Sequence, residues 1–163
     1  MSTEPDAQRR DIDGNSEYQQ ALDILFAQSG QLLRIFDRTL TTEYSSPHRY
    51  ELLRAFLLAR RSARIQIVVH DASNFVRDCP RLVTLIRDFS HLIEVHETLS
   101  QAKHVSDPFA TMDERHYVHR FHYDHPRGVF ALHDPQHAST FVQRFEEIWE
   151  ASAPAVSATT LGL

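Results

Sequence analysis

The sequence predicts an α/β domain with a mixed sheet, parallel at its core and antiparallel towards the C-terminus. Three observations predict it. Short apolar runs alternate with helical stripes from Tyr18 to Glu97, giving a β-α-β-α-β order. After residue 105 the stripes give way to short β-like runs with tight connections. A strongly amphipathic stripe that begins at Asp134-Pro135 then closes the pattern.

Each element has its own justification. Tyr18, Ala21, Leu22, Leu25 and Phe26 follow the i, i+3, i+4, i+7 spacing of a helix face, with Ser16 as the expected N-cap and Gly30 as the end of the unit. QLLRIF is nearly all apolar, as a strand covered on both faces should be. Ser46-Pro47 opens a second helix with Leu53, Phe56 and Leu57 on its inner face. RIQIVV is the second strand. Cys79-Pro80 opens a third helix carrying Leu82, Leu85, Ile86 and Phe89, and LIEV is the third strand. Crossovers of this length imply parallel strands and right-handed connections. DPFATMD, HYVHRF and GVFALHD supply the added antiparallel strands. The last helix aligns Ala138, Phe141, Val142, Phe145, Ile148 and Trp149. Residues 1–14 are polar without an apolar period and read as a disordered tail. Residues 153–163 are small and low in charge and read as a flexible one, leaving 15–152 as a single domain.

Composition narrows the function classes. The chain has 163 residues, is 42% hydrophobic and carries a formal charge of −5, which argues against a broadly basic nucleic-acid surface. Its single cysteine, Cys79, gives no internal disulfide framework and suits a reducing cytoplasm. The polar N-terminus has no apolar core of a signal peptide, and no run approaches the roughly 18 apolar residues of a membrane span. No GxGxxG, Walker or GxSxG motif is present, so glycine-loop nucleotide folds and a bound cofactor are not expected.

Histidines recur at three-residue intervals at 116, 119, 122 and 125. The intervening Tyr117, Val118, Phe121 and Tyr123 are strand formers. On a strand, His116 and His122 share one face while His119 and His125 share the other. His116 and His122 then lie about 20 Å apart at about 3.3 Å per residue, too far to share a metal, so no metal site is expected. His133 and His137 straddle a helix start and give no better ligand pair. Cys79 and Arg81 at a helix N-terminus have the chemistry to meet an anion. The three parallel strands end in Asp37, in His70-Asp71 and in His96-Glu97. Ligands of open α/β sheets bind at such carboxyl ends, although any strand must also become polar as it leaves the core.

The order of elements, with the strings IFD, YSSPHRYELLRAFL, CPRLVTLIRDFS, SDPFATMD and FEEIW, resembles the phospholipase D-like superfamily, in particular an uncharacterised bacterial branch of it. The resemblance covers roughly residues 17–152. It implies an α-β-α sandwich, and for active members an H-x-K-x4-D motif. In that motif histidine is the nucleophile, lysine grips phosphate and aspartate supports the site, often across a homodimer. The nearest counterpart here is KHVSDPFATMD. His104 stands for the histidine and Asp113 near the aspartate. However, Ser106 occupies the lysine position, and Asp113 follows His104 by nine residues instead of seven. Charge grows on the equatorial oxygens of a diester under attack, and fixed cations must meet it. Arg115, Arg120 or Arg127 is the substitute that arginine chemistry offers.

The expected function is therefore a non-catalytic module, a pseudoenzyme. It would bind a phosphate-containing ligand or a protein partner through a remnant pocket of His104, Asp113 and Arg120, with Arg81, Arg127, His70 and His133 as further ligand-binding candidates. The alternative is a degenerate, metal-independent phosphodiesterase. There His104 attacks and His70 or His133 protonates the leaving group.

Overall fold

The computed structural model describes residues 5–162. Eight strands form one mixed sheet in the order β1-β7-β6-β5-β2-β3-β4-β8. They are β1 Gln8–Asp13, β2 Leu32–Asp37, β3 Arg64–Val69, β4 Ile93–Thr98, β5 Phe109–Met112, β6 His116–His122, β7 His125–Leu132 and β8 Ser152–Val156. β2, β3 and β4 are parallel, with Leu33 beside Ile65 and Ile65 beside Ile93. β5 joins β2 antiparallel, with Phe36 opposite Phe109, and β6, β7 and β1 continue antiparallel. This is the mixed α/β sandwich the sequence predicts.

Alternation along the strands divides the side chains between two layers. Leu33 and Ile35 of β2, Ile65, Ile67 and Val69 of β3, and Ala110 and Met112 of β5 face one way. There they meet α1 (Asn15–Phe26), α2 (Pro47–Ala59) and α4 (Pro80–Asp88). Phe36, Val68 and Phe109 face the other way, under Phe145 and Ile148 of α5 (Pro135–Glu150). Tyr117, Val129 and Ala131 continue that second layer beneath Ala138 and Phe141. The short helices α3 (Phe75–Asp78) and α6 (Ala158–Leu161) complete the chain.

Several expectations need correction. Residues 8–13, placed in a disordered tail, form edge strand β1 against β7. Only Ile12 of the six is buried, so no apolar alternation announces the strand, and its exposed Arg9, Arg10 and Asp11 suit an unpaired sheet edge. Residues 1–4 of that tail, and Leu163, lie outside the described residues. The presumed flexible C-terminal tail supplies the other edge: β8 pairs with β4 across a register shift at Val95/His96, and α6 follows with a Ser157 capping box. Ser16 does not cap α1. Gly14, at φ 106, occupies the N-cap without a side-chain bond, and Glu17 Oε2 accepts the Asp13 N–H at 2.7 Å.

The strand expected to carry alternating histidines is interrupted. A bulge between Arg120 and His122 breaks the alternation of β6, and His125 already belongs to β7, opposite His122. Gly128 makes this crossing possible, because a Cβ there would sit 1.9 Å from the His119 carbonyl oxygen.

Candidate functional site at the carboxyl edge

β2, β3 and β4 all run towards one edge of the sheet, and β5 and β7 start there. That edge gathers Asp37, His70, Thr98, Asp107 and the β6–β7 turn. The sheet divides these groups into two clusters that face opposite layers.

On the α5 side, His70 is fully engaged. Its Nε2 lies 2.6 Å from the Val105 carbonyl and its Nδ1 2.7 Å from Thr98 Oγ1. A carbonyl only accepts, so Nε2 carries the proton and Nδ1 accepts from the hydroxyl. Burial also lowers the His70 pKa. The Lys103 ammonium donates to the His70 carbonyl. Nearby, Arg144 holds the Asp107 carboxylate through two 2.7 Å bonds, and His119 Nε2 meets the same carboxylate at 2.8 Å. Burial alone would raise the pKa of Asp107, but these partners hold it far below the usual carboxylate range. A cavity of about 280 Å³ opens beside them, lined by His104, Ser106, Asp107, Arg144 and Glu147 among others.

On the α1 and α2 side, a second cavity of about 200 Å³ is lined by Asn15, Tyr18 and Gln19 of α1, by Asp37 at the end of β2 with Arg38 and Thr39 after it, and by Thr41, Glu43 and Tyr44. Arg120 of β6 and Tyr123 of the following turn complete it. Asp37 lies at its inner end. Desolvation raises its pKa from 3.8 to about 6, against the opposing Arg38 N–H bond and the charges of Arg120 and Arg38. Tyr44 Oη lies 3.4 Å from the carboxylate, and burial pushes the phenols of Tyr44 and Tyr18 up. Arg120 donates to the carbonyls of His122, Tyr123 and His125 at 3.2, 2.8 and 3.2 Å, so it fastens the turn while its guanidinium lies 5.2 Å from the Tyr18 ring centroid. Arg38 covers Tyr123 at 4.7 Å and reaches Asp124 only at 3.8 Å. Beneath the cavity, buried Arg49 ties α2 to α1 through Asp23 at 2.9 Å and Gln19 at 2.9 Å.

The sequence candidates separate. His104 and His70 reach the carboxyl edge on the α5 side, and Arg120 reaches it on the other side. Asp113 lies at the opposite edge, beyond the far end of β5 and about 13 Å of strand from the segment that carries His104. At φ 53, its Oδ1 accepts the N–H groups of Gln31 and Leu32 at 2.9 Å each, so it anchors the start of β2. His133, at φ 56, is also on that opposite edge, and its N–H donates to His116 Nδ1 at 2.9 Å. Arg81 is held by Ser45, its guanidinium donating to the Ser45 carbonyl at 2.9 Å, and lines neither cavity. Arg127 is exposed on β7 opposite Asp13. The expected single pocket of His104, Asp113 and Arg120 is therefore not assembled, because β5 separates the first two and the sheet separates the first from the third. Cys79 is buried against Leu40 and Thr41 carbonyls, and burial raises its thiol to about 11, the reverse of an activated cysteine.

Sequence reasoning marked Asp37 only as a strand-end acid. It missed Tyr18, Arg38, Tyr44 and Tyr123, and on the other face Asp107, His119 and Arg144. The Asp37-Arg38 step straight after a buried strand was the available signal. The Asp107–Arg144 pair spans 37 residues and has no local signature.

The comparisons agree with this architecture. Nuc from Salmonella typhimurium, a phospholipase D family member, superposes with a TM-score of 0.65 at 12% identity, covering 93% of this chain and 100% of that one. NucT from Helicobacter pylori gives 0.63 at 11%, covering 92% and 100%. Phosphatidylserine synthase from Haemophilus influenzae gives 0.56 at 16%, covering 95% of this chain and 41% of its own length. At these identities the likeness establishes the fold alone. No curated protein shows significant sequence similarity. Among the described residues no helix is long and apolar enough to cross a membrane. A family model matches residues 14–161, nearly the whole sandwich. The chain thus belongs to DUF7931, a domain of unknown function, and carries the phospholipase D-like fold.

Proposed function

We propose that the chain is a non-catalytic phospholipase D-like module that binds a phosphate-containing ligand in the cavity between α1 and the β6–β7 turn. One observation carries the reading. Two arginines, Arg38 and Arg120, flank a small cavity at the carboxyl end of the central strands, the position where open α/β sheets take ligands. Arginine presents a planar fork of donors that suits phosphate oxygens, and the ion pair of Arg38 with exposed Asp124 is long, at 3.8 Å. Tyr123 and Tyr18 supply aromatic surface on either side.

The placement of the nucleophiles supports the non-catalytic reading. A histidine mechanism needs a ring nitrogen with a lone pair beside fixed cations. No histidine lines this cavity among the described residues. His70 spends both nitrogens on Thr98 and Val105, and the Arg144 guanidinium is already paired with Asp107.

One observation keeps the phosphodiesterase reading in play: His104 is exposed at the rim of the α5-side cavity, next to Ser106. Two measurements separate the readings. Titration calorimetry with n-propyl phosphate should give saturable binding, weakened at least tenfold by Arg38→Ala. Hydrolysis of bis(p-nitrophenyl) phosphate with EDTA present should be absent. Turnover that survives EDTA and disappears in His104→Ala would replace the binding module with the enzyme.

A further inference from the structure

The cavity is lined by two cations, Arg38 and Arg120, and by two acids, Asp37 and Glu43. Among the described residues neither acid makes an ion pair. Glu43 accepts only neutral donors, from Asn15 Nδ2 at 3.1 Å, Gln19 Nε2 at 2.8 Å and Thr41 Oγ1 at 3.4 Å. Asp37 has the Arg38 backbone N–H at 2.7 Å and one long phenol contact. A carboxylate taken from water without a cation is an unfavourable arrangement unless a partner arrives. Arg120 and Arg38 reach Asp37 only through their charge, and the hydrogen bonds of Arg120 go to carbonyls of the turn. Tyr18 and Tyr44 bring electron-rich rings to the same cavity. Plain phosphate satisfies the arginines and is repelled by the two acids.

We propose that the ligand is a zwitterionic phosphate ester, with its phosphate on Arg38 and Arg120 and a protonated amine against Asp37 and Glu43. The proposal rests on the phosphate-binding reading and specifies its ligand class. Size agrees: a cavity of about 200 Å³ has room for a small amino-alcohol phosphate. The same chemistry occurs in a soluble ester and in the headgroup of an aminophospholipid.

The test compares two isosteres on the intact chain. O-phosphoethanolamine and n-propyl phosphate differ only in an ammonium in place of a methyl. At pH 7.5, calorimetry should show the amine ester binding at least tenfold more tightly. Asp37→Asn and Glu43→Gln should each shrink that ratio and strengthen binding of n-propyl phosphate. Co-sedimentation with phosphatidylglycerol vesicles, with and without phosphatidylethanolamine, separates the sources. Enhancement by phosphatidylethanolamine identifies the headgroup, and binding confined to the free ester identifies a soluble ligand. Equal affinity for the two esters, both lost in Arg38→Ala, would overturn the zwitterion and leave the phosphate site standing. No binding of either ester or of vesicles would overturn both. The wild-type ratio decides the matter even if a variant fails to fold.

Discussion

Asp37→Asn should stabilise the protein at neutral pH, and the gain should fade in acid. Desolvation raises the carboxyl from 3.8 to about 6. At about 1.36 kcal/mol per tenfold, holding Asp37 ionised in the fold costs up to about 3 kcal/mol relative to the unfolded chain. The sign follows from linkage. A carboxyl raised on folding binds more protons in the native state than in the unfolded one between about 3.8 and 6. The cost is therefore complete above pH 6, falls to about 1 kcal/mol near pH 4.5 and vanishes below the unfolded value. Asparagine keeps an acceptor for the Arg38 N–H and carries no charge. Urea unfolding at pH 7.5 should place the variant about 2–3 kcal/mol above wild type, or roughly 4–12 °C in melting temperature. The difference should shrink to about 1 kcal/mol at pH 4.5. A variant less stable than wild type at pH 7.5, or a gain independent of pH, would refute the desolvation argument.

Other perturbations probe different parts of the fold. Asp107→Asn leaves Arg144 and His119 without their carboxylate. The loss should be about 2–4 kcal/mol in urea unfolding, with phosphate-ester affinity unchanged because Asp107 lies across the sheet from Arg38. His116 is buried, and burial with its His133 and Arg115 neighbours lowers its pKa from 6.5 to about 4. The unfolded chain thus binds the extra proton, so stability should fall by up to about 3 kcal/mol as pH drops from 6.5 to 4. His116→Gln should flatten that limb in a pH series of unfolding curves. Gly128→Ala drives a methyl into the His119 carbonyl, backbone against backbone, and should cost more than about 3 kcal/mol or prevent folding, read by circular dichroism and expression of soluble protein.

How far the sequence reached depends on how local the physics was. α1, α2, α4 and α5 bury faces set by 3.6-residue spacing, and Tyr18, Leu22, Leu25 and Phe26 all lie where the spacing puts them. β2 is buried along nearly its whole length, as an apolar run on both faces must be. The edges were illegible for the opposite reason. β1 exposes five of six residues, and β8 is a run of small residues whose place is fixed by pairing with β4. The site was legible only as an edge. Asp37 and His70 were visible as polar endings of apolar strands. Which layer each strand side chain enters depends on register, and register placed Arg120 and its neighbour His119 on opposite faces. A motif search along the chain paired His104 with Asp113, whereas the antiparallel entry of β5 puts them at its two ends.

The two polar clusters differ in their energy balance. On the α5 side Asp107 and His70 are both satisfied by protein partners. Asp107 is held by Arg144 and His119, and His70 by Thr98 and Val105, so that cluster stabilises the fold as it stands. On the α1 side Asp37 stays desolvated with no cation bonded to it, and Glu43 leans on amides. A hydrophobic or amide side chain at position 37 would make a more stable protein by the argument above. On the proposed reading, the protonated amine of the ligand brings Asp37 the cation that no side chain bonds to it. Ligand and Asp37→Asn should therefore act in opposition. O-phosphoethanolamine should raise the melting temperature of the wild type more than that of the already stabilised variant, and equal shifts would mean that Asp37 does not touch the ligand.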